Sequence, residues 1–272
     1  MSATRAEVAV AACADLFADD GEVVASPMGL VPLLGARLAR LTSNPDLLLS
    51  DGEALLVSDV PAFGQRPSAV EGWLPFRKVL DAVVPHGRRH VVMGANQIDR
   101  HGNQNISAIG DHAKPARQLL GVRGAPGNTV NHRTSYWVPR HSPRVFVPEV
   151  DVVSGVGRDR ARRAGPAAER FHDVHRVVSD LGVFDFANGV MRLVATHPGV
   201  DVGQVQEQTG FPLEMGPATG PATGPATGSA TGSETGPGSS GVSTTRTPDP
   251  EELRLIREVL DPGGERNGEV RA

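Results

Sequence analysis

Three stretches of the chain hold residue types and spacings suited to chemistry. Ser50-Asp51-Gly52 ends a short apolar run, which sets a hydroxyl and a carboxylate in the turn after a strand-like segment, the place where open sheets gather ligands. Gly121-Val-Arg-Gly124-Ala125-Pro-Gly127 is rich in glycine. Glycines let backbone N–H groups approach a developing oxyanion, and each such donor is typically worth about 3 kcal/mol in a transition state. By itself the stretch reads as a plain connecting turn before it reads as a donor loop. Asn96, Gln97, Asn103 and Asn105 flank Asp99-Arg-His-Gly102. They offer uncharged hydrogen bonds for orienting a keto or carboxylate group, or they satisfy backbone groups around a tight turn that Asp99 closes.

The remaining candidates read more plainly. His172 and His175 share a strand start with no third ligand nearby, so no metal site is expected. His132 and His141 bracket an aromatic strand and read as surface or hairpin residues. Tyr136 and Trp137 read as packing or interface aromatics. Cys13 is the single cysteine. It lies on an apolar helix face as a small buried hydrophobe, and it excludes both an internal disulfide and a cysteine-based zinc site. The basic cluster at 158–163 reads as a solvated loop. A net charge of −4 gives no field for nucleic acid, and no apolar run approaches the roughly 20 residues that span a bilayer. Residues 1–20 do not read as a secretory signal, so a cytoplasmic protein is expected.

The elements that must position these groups follow from pattern. Thr4 and Glu7 form a capping box ahead of Val8, Ala11, Ala12 and Leu16 at helical spacing, which predicts a first helix. Strand 22–25, helix 30–41 and strand 46–50 make a βαβ unit that places Ser50, Asp51 and Gly52 at a carboxyl edge. A helix is predicted over 73–83, and a hairpin with arms 90–97 and 103–109. Further strands are predicted at 135–138, 144–153, 174–178, 183–186 and 191–196. The fold class is α/β, an open mixed sheet flanked by helices, over residues 1–215. From Gly216 the chain turns to four-residue Gly-Pro-Ala-Thr units. They cannot build a core, so 216–247 reads as a disordered tether, about 30 Å in r.m.s. span if it is a flexible coil. A third segment, 248–272, holds a short helix whose Leu253, Ile256, Val259 and Leu260 form one stripe. That stripe docks on this domain or on a partner.

Taken in order, Asp46-Leu-Leu-Leu-Ser50-Asp51-Gly52, Gly94-Ala-Asn-Gln97-Ile-Asp99-Arg-His-Gly102-Asn103-Gln-Asn105, Gly121-Val-Arg-Gly124-Ala125 and the stretch from Val177 to Pro198-Gly199 resemble the β subunits of class I CoA-transferases such as glutaconate CoA-transferase. In finer detail, Gly121-Val-Arg-Gly-Ala-Pro-Gly-Asn-Thr together with Thr134-Ser-Tyr-Trp-Val-Pro139 is similar to the β chains of actinobacterial cholesterol ring-cleaving hydrolases. The resemblance implies the class I CoA-transferase β-subunit fold, an acyl-CoA substrate and an α-subunit partner in an α2β2 heterotetramer. It implies no separate cofactor, because CoA is part of the substrate.

One departure bears on the reaction. Transferases of this superfamily attack the thioester with a glutamate at the end of the early strand, and the matching position here is Ser50. Glu53 is three positions away and Asp51 is shorter and misaligned. The resemblance therefore implies a hydrolase that opens a cyclohexenone ring bearing a carboxyl-CoA thioester, with a general base from the α subunit. It also implies an oxyanion loop at Gly124 and Ala125. Ser50, Asp51, Gly52, Asn96, Gln97, Asn103 and Asn105 are the expected substrate-binding residues. A transferase using another carboxylate, and a non-catalytic ligand-sensing module, are the alternatives.

Overall fold

A computed structural model describes residues 2–52, 54–79, 83, 86–217 and 241–270, apart from the side chains of Phe76 and Ala187. Helix α1 (Arg5–Asp15) starts at the capping box, where Glu7 N–H donates to Thr4 Oγ1 at 3.3 Å and Thr4 N–H donates to Glu7 Oε2 at 2.8 Å. The helix is buried without a break from Ala6 to Ala14, because it lies between the sheet and α2 (Leu30–Leu41). The two helices approach closely at Gly35, where a Cβ would stand 2.6 Å from Cys13 Cβ. Only glycine allows that approach.

The chain order is β1 (Val24–Pro27), α2, β2 (Leu49–Ser50), β3 (Leu55–Val57), β4 (Val70–Trp73), α3 (Phe76–Lys78), β5 (Arg89–Gly94), β6 (Gln97–Ile98), β7 (Gln104–Asn105), β8 (Ala108–Ile109), β9 (Arg117–Gln118), α4 (Ala125–Asn131) and β10 (Arg133–Val138). Then come α5 (Arg158–Ala164), α6 (Pro166–Glu169), β11 (Asp173–Ser179), β12 (Gly182–Asp185), β13 (Arg192–Thr196), α7 (Val202–Glu207), β14 (Glu214–Met215), β15 (Ser243–Thr244), α8 (Pro250–Arg254) and α9 (Arg266–Glu269).

The main sheet runs β1-β5-β10-β11-β12-β13, with β14 and β15 both added along β13. Strands β1, β5, β10 and β11 pair in parallel, and β12 is antiparallel to both of its neighbours. Alternation along the strands feeds two cores. Val92, Trp137 and Val178 face α1, α2 and the C-terminal segment, whereas Val91, Tyr136 and Val177 face the opposite layer with Phe146, Phe184 and Leu193. A separate antiparallel sheet, β2-β3-β4, carries the end of the early βαβ unit.

Several expected elements differ. Trp73, the first residue of the predicted 73–83 helix, instead ends strand β4, and helical backbone begins at Phe76; residues 80–82, 84 and 85 lie outside the described residues. The long hairpin arm 90–97 is broken. Its first part is the central strand β5, and only Gln97–Ile98 turns back to pair with Gln104–Asn105. Burial accounts for this, since Val91, Val92 and Met93 are needed in the sheet interior. Residues 144–153 form no strand; Phe146 makes an isolated bridge to Ile98 and plugs the second core. The arginine-rich cluster is not a loop but helix α5, with Arg158 Nη2 donating to the Val174 carbonyl at 3.0 Å.

The tether boundary also moves. Ser243–Thr244 pair with Ala195–Thr196, and Arg246 bridges Asp15 at 2.8 Å and Glu252 at 2.6 Å. The repeats at 218–240 lie outside the described residues. The C-terminal segment docks on this same domain. Pro250–Arg254 continues as a π-helical turn, Leu255–Leu260, whose Leu255, Ile256 and Leu260 enter the core beneath α1 and α2.

Candidate active site

The early βαβ unit sets the geometry. Val24 of β1 bridges in parallel to Leu48, so the chain leaving β2 turns beside the edge strand β1. Asp51 Oδ1 accepts from the N–H groups of Ala54 and Leu55 at 2.9 Å each, and Gly52 takes φ +86°. An aspartate bound this way closes a turn. Its carboxylate is therefore employed in holding the backbone rather than presented as a nucleophile. Ser50 is half-buried, and its Oγ accepts from the Gly52 N–H at 3.3 Å. Glu53 lies outside the described residues.

Ser50, Asp51 and Gly52 line a cavity of about 580 Å³ that runs along β1. Met28, Leu33, Phe63 and Leu74 supply apolar wall, and Ser26, Arg37 and Arg89 supply polar groups. Arg89 is locked in place, with Nε donating to Ser26 Oγ at 2.7 Å and Nη1 to Asn128 Oδ1 at 2.8 Å. Burial lowers the guanidinium's pKa. The sequence reading missed Ser26, Arg37 and Arg89. The available signal was a charged residue, Arg89, at the head of the apolar strand 89–94.

Asn128 ties this cavity to the glycine loop, because it lies in α4, which Gly124 opens as N-cap. Gly121 has φ +81° and Arg123, a non-glycine, has φ +47°, a conformation that costs energy and is held by its surroundings. Among the described residues no group accepts from the Gly124 N–H, whereas the Ala125 N–H donates to the Val122 carbonyl at 3.1 Å. Of the two residues expected to donate to an oxyanion, Gly124 has its donor open and Ala125 has it engaged.

The amides of the hairpin are mostly spent internally. Asn105 Nδ2 donates to Gln97 Oε1 and to the Ala108 carbonyl, both at 2.7 Å, and its Oδ1 accepts from Ser107 N–H and Ala108 N–H. Gln97 Nε2 donates to Asp151 Oδ2 at 3.0 Å. Asn103 Nδ2 donates to Asp99 and Asp159, and its Oδ1 accepts from the Gly157 N–H. All three are buried. Gln97, Asn103 and Asn105 thus brace the hairpin, because buried amides must first satisfy each other. Asn96 is exposed, with its backbone N–H on the Asn105 carbonyl.

The histidines also differ from expectation. His141 is buried, stacked on Phe146 with ring centroids 3.7 Å apart, and bonded to Ser179 and Thr209. His132 is buried with neither ring nitrogen bonded, and burial, helped by nearby Arg89 and His90, holds its pKa at about 4. It borders a cavity of about 360 Å³ at the amino end of the strands, with Asp20, Arg133 and Asp173. There Asp20 meets His90 Nδ1 at 2.6 Å, and His90 Nε2 meets Ser135 Oγ at 2.9 Å. This carboxylate-imidazole-hydroxyl line has the order of a nucleophilic relay. Ser135 is fully buried inside the sheet, so the line fastens the end of α1 to β5 and β10. Among the described residues no cluster of His, Cys, Asp or Glu is placed to hold a metal ion, and no helix is long and apolar enough to cross a membrane.

A mixed sheet with a βαβ edge, the Ser50–Gly52 turn after it and a glycine loop defines a β-type subunit of the class I CoA-transferase fold. No family model matches the chain. It is 55% identical over 269 residues to the cholesterol ring-cleaving hydrolase IpdB subunit of Rhodococcus jostii strain RHA1, covering 98% of this chain and 96% of that one. It is 30% identical over 217 residues to one of the subunits of the 3-oxoadipate CoA-transferase of Pseudomonas knackmussii, covering 71% and 77%. The crystal structure of Rhodococcus jostii RHA1 IpdAB superposes with a TM-score of 0.87 at 53% identity, covering 100% of both chains. The chain belongs to the IpdB subunit family of cholesterol ring-cleaving hydrolases.

Proposed function

We propose that this chain is the β subunit of a heteromeric cytoplasmic hydrolase that opens a cyclohexenone ring bearing a carboxyl-CoA thioester, working with an α subunit in an α2β2 assembly. The reading draws on the relatives named as ring-cleaving hydrolase subunits and on the IpdAB structure. One observation carries it. Where the transferases of the superfamily present a glutamate, this chain presents the Ser50 hydroxyl on a cavity of about 580 Å³, and the adjacent Asp51 carboxylate is bound into its own turn. Among the described residues of this turn no carboxylate is aimed at the thioester, so on this reading water is the reagent and the α subunit supplies the base.

In the step proposed, water adds to an electron-poor ring carbon and its proton passes to the base. The carbon-carbon bond then breaks, its electron pair is held as an enolate conjugated with the thioester, and the base returns its proton to the enolate carbon, so that the elements of water are added across the broken bond. The Gly124 N–H is the donor this chain offers to that oxygen. No cofactor beyond the CoA of the substrate takes part. The test is to coexpress the chain with its α partner and follow ring opening in 18O-labelled water. One 18O per turnover in the product, with no CoA passed to an added carboxylate, supports the reading. CoA moving between acids, or a CoA adduct on an acidic residue of this chain, refutes it.

A further inference from the structure

Arg89 is a half-buried cation whose hydrogen bonds go only to neutral groups. Its Nε is on Ser26 Oγ and its Nη1 on Asn128 Oδ1. No ion pair joins it to a carboxylate of the described residues, and burial is the only influence resolved on its acidity. A guanidinium does not give up its proton in a protein. A charge drawn out of water without a counterion is costly, and it persists where a ligand brings the opposite charge.

Arg37 lines the same cavity from α2, and its Nη1 is buried with no hydrogen-bond partner. Asp59 attracts it without a hydrogen bond: the Asp59 Oδ2 accepts from the N–H and hydroxyl of Ser68, and its Oδ1 is buried with no partner. Two guanidinium groups therefore face one cavity with donor capacity left over. Arg89 also borders the smaller cavity at the amino end, but Asp19, Asp20 and Asp173 line that one, and their charge repels an anion. In the larger cavity Arg37 and Arg89 outnumber the Asp51 carboxylate, which is bound into its own turn, so that cavity is where an anion fits.

We propose that Arg89, supported by Arg37, recognises a carboxylate carried on the acyl part of the substrate, away from the thioester. The proposal rests on the reading of this cavity as the acyl site. The walls favour a carboxylate on a ring over a phosphate of CoA, because Met28, Leu33 and Leu74 suit an apolar body and leave a diphosphate without its solvation. Arg89 and Arg37 are then specificity residues. They set which ring-bearing thioesters bind, and Ser26 and Asn128 hold the Arg89 fork in place.

The experiment uses the coexpressed αβ complex and three thioesters: the ring-bearing acid, its methyl ester, and the acid built on CoA lacking the 3′-phosphate. For the wild-type complex kcat/KM is expected to favour the acid over the ester by at least about tenfold, as a charge-assisted pair implies. In Arg89→Met this preference falls to near one, through KM more than kcat, and Arg89→Lys restores part of it. Because Arg89→Met removes two internal hydrogen bonds, Arg37→Met serves as the second variant; it breaks no hydrogen bond among the described residues and is expected to lower the same preference severalfold. Equal losses on acid and ester, or an unchanged preference in both variants, overturns the proposal. So does a loss that vanishes when the 3′-phosphate is absent, which would assign the arginines to CoA. A wild-type complex that turns over neither acid nor ester sinks the functional reading itself, an outcome distinct from all of these.

Discussion

Glu7 and Arg257, 250 positions apart, form a two-pronged ion pair, with Nε on Oε1 at 2.7 Å and Nη2 on Oε2 at 2.8 Å. Arg266 adds a third contact to Oε1 at 2.9 Å. The same carboxylate also completes the capping box of α1. One buried side chain thus joins the first helix to the last segments of the chain. Burial raises the Glu7 pKa, but the bonds from Arg257, the Thr4 N–H and Arg266 outweigh it and hold it at about 2, below the ordinary 4.5. A lowered folded-state pKa stabilises the fold above the unfolded value, and that contribution is lost as pH falls from 4.5 through about 2. Glu7→Gln is expected to cost about 3 kcal/mol at pH 7. The gap to wild type should narrow at acid pH, as read by urea unfolding at a series of pH values.

Ser50→Glu restores a carboxylate to the turn at the cavity. Ring opening by the assembled complex is expected to fall at least about tenfold, because a carboxylate placed where water must stand displaces the reagent. Mass spectrometry after quenching is expected to find no CoA adduct on the wild-type chain. Undiminished hydrolysis by the variant would contradict the role given to this position.

Gly124 is exposed, with φ −85°, and a Cβ there meets nothing nearer than Asn128 Nδ2 at 3.7 Å. Gly124→Ala should therefore leave stability within about 0.5 kcal/mol. The same methyl group obstructs an oxygen approaching the open N–H, so kcat is expected to drop about tenfold or more. A normal kcat in a folded complex would remove Gly124 from the oxyanion site.

Asn105 and Asn96 should behave oppositely. Asn105→Ala leaves Gln97 Oε1, the Ala108 carbonyl and two N–H groups short of a partner. It is expected to cost about 2 kcal/mol or more. Asn96→Ala, at an exposed position, is expected to stay within about 0.5 kcal/mol in thermal unfolding. Similar losses at both would mean that the internal hydrogen bonds do not brace the hairpin.

Excision of residues 218–240 should be tolerated. A Cβ on Gly241 would lie 3.0 Å from Pro217 Cδ, and β14 and β15 pair with neighbouring stretches of β13, so a two- or three-glycine link rejoins the ends without moving either strand. Loop closure depends only logarithmically on length, so stability is expected to change by about 1 kcal/mol or less. A large loss of rate in the complex would give the repeats more than a spacing role.

The capping box of α1 and the strands ending at 178, 186 and 196 were legible because each depends on neighbours within a few residues; of the stripe at 253–260, Ile256, Val259 and Leu260 pack as expected, whereas the π-helical turn brings in Leu255 in place of Leu253. The failures fell where distant packing overrode local pattern. Trp73 reads as the start of a helix, yet β3 recruits it, with Val70 and Gly72, as a strand partner. His141 reads as a hairpin residue, yet Phe146 and Phe184 enclose it. For the site, Ser50 could be found because the turn that follows an early strand is visible in the sequence. Arg89 showed only as a charge at the head of an apolar strand, because the worth of that charge depends on which carboxylates lie near it.

What the sequence determined by itself is the set of local choices: caps, turns, alternation, and a hydroxyl, that of Ser50, at the end of an early strand. Only the tertiary structure decided which polar groups are spent on one another and which are left over for a ligand. Gln97, Asn103 and Asn105 proved engaged, and Gly124, Arg37 and Arg89 kept free donors or charge. The physical reason is that a buried polar group binds the nearest partner that satisfies it, and the fold, not the order of residues, sets that partner.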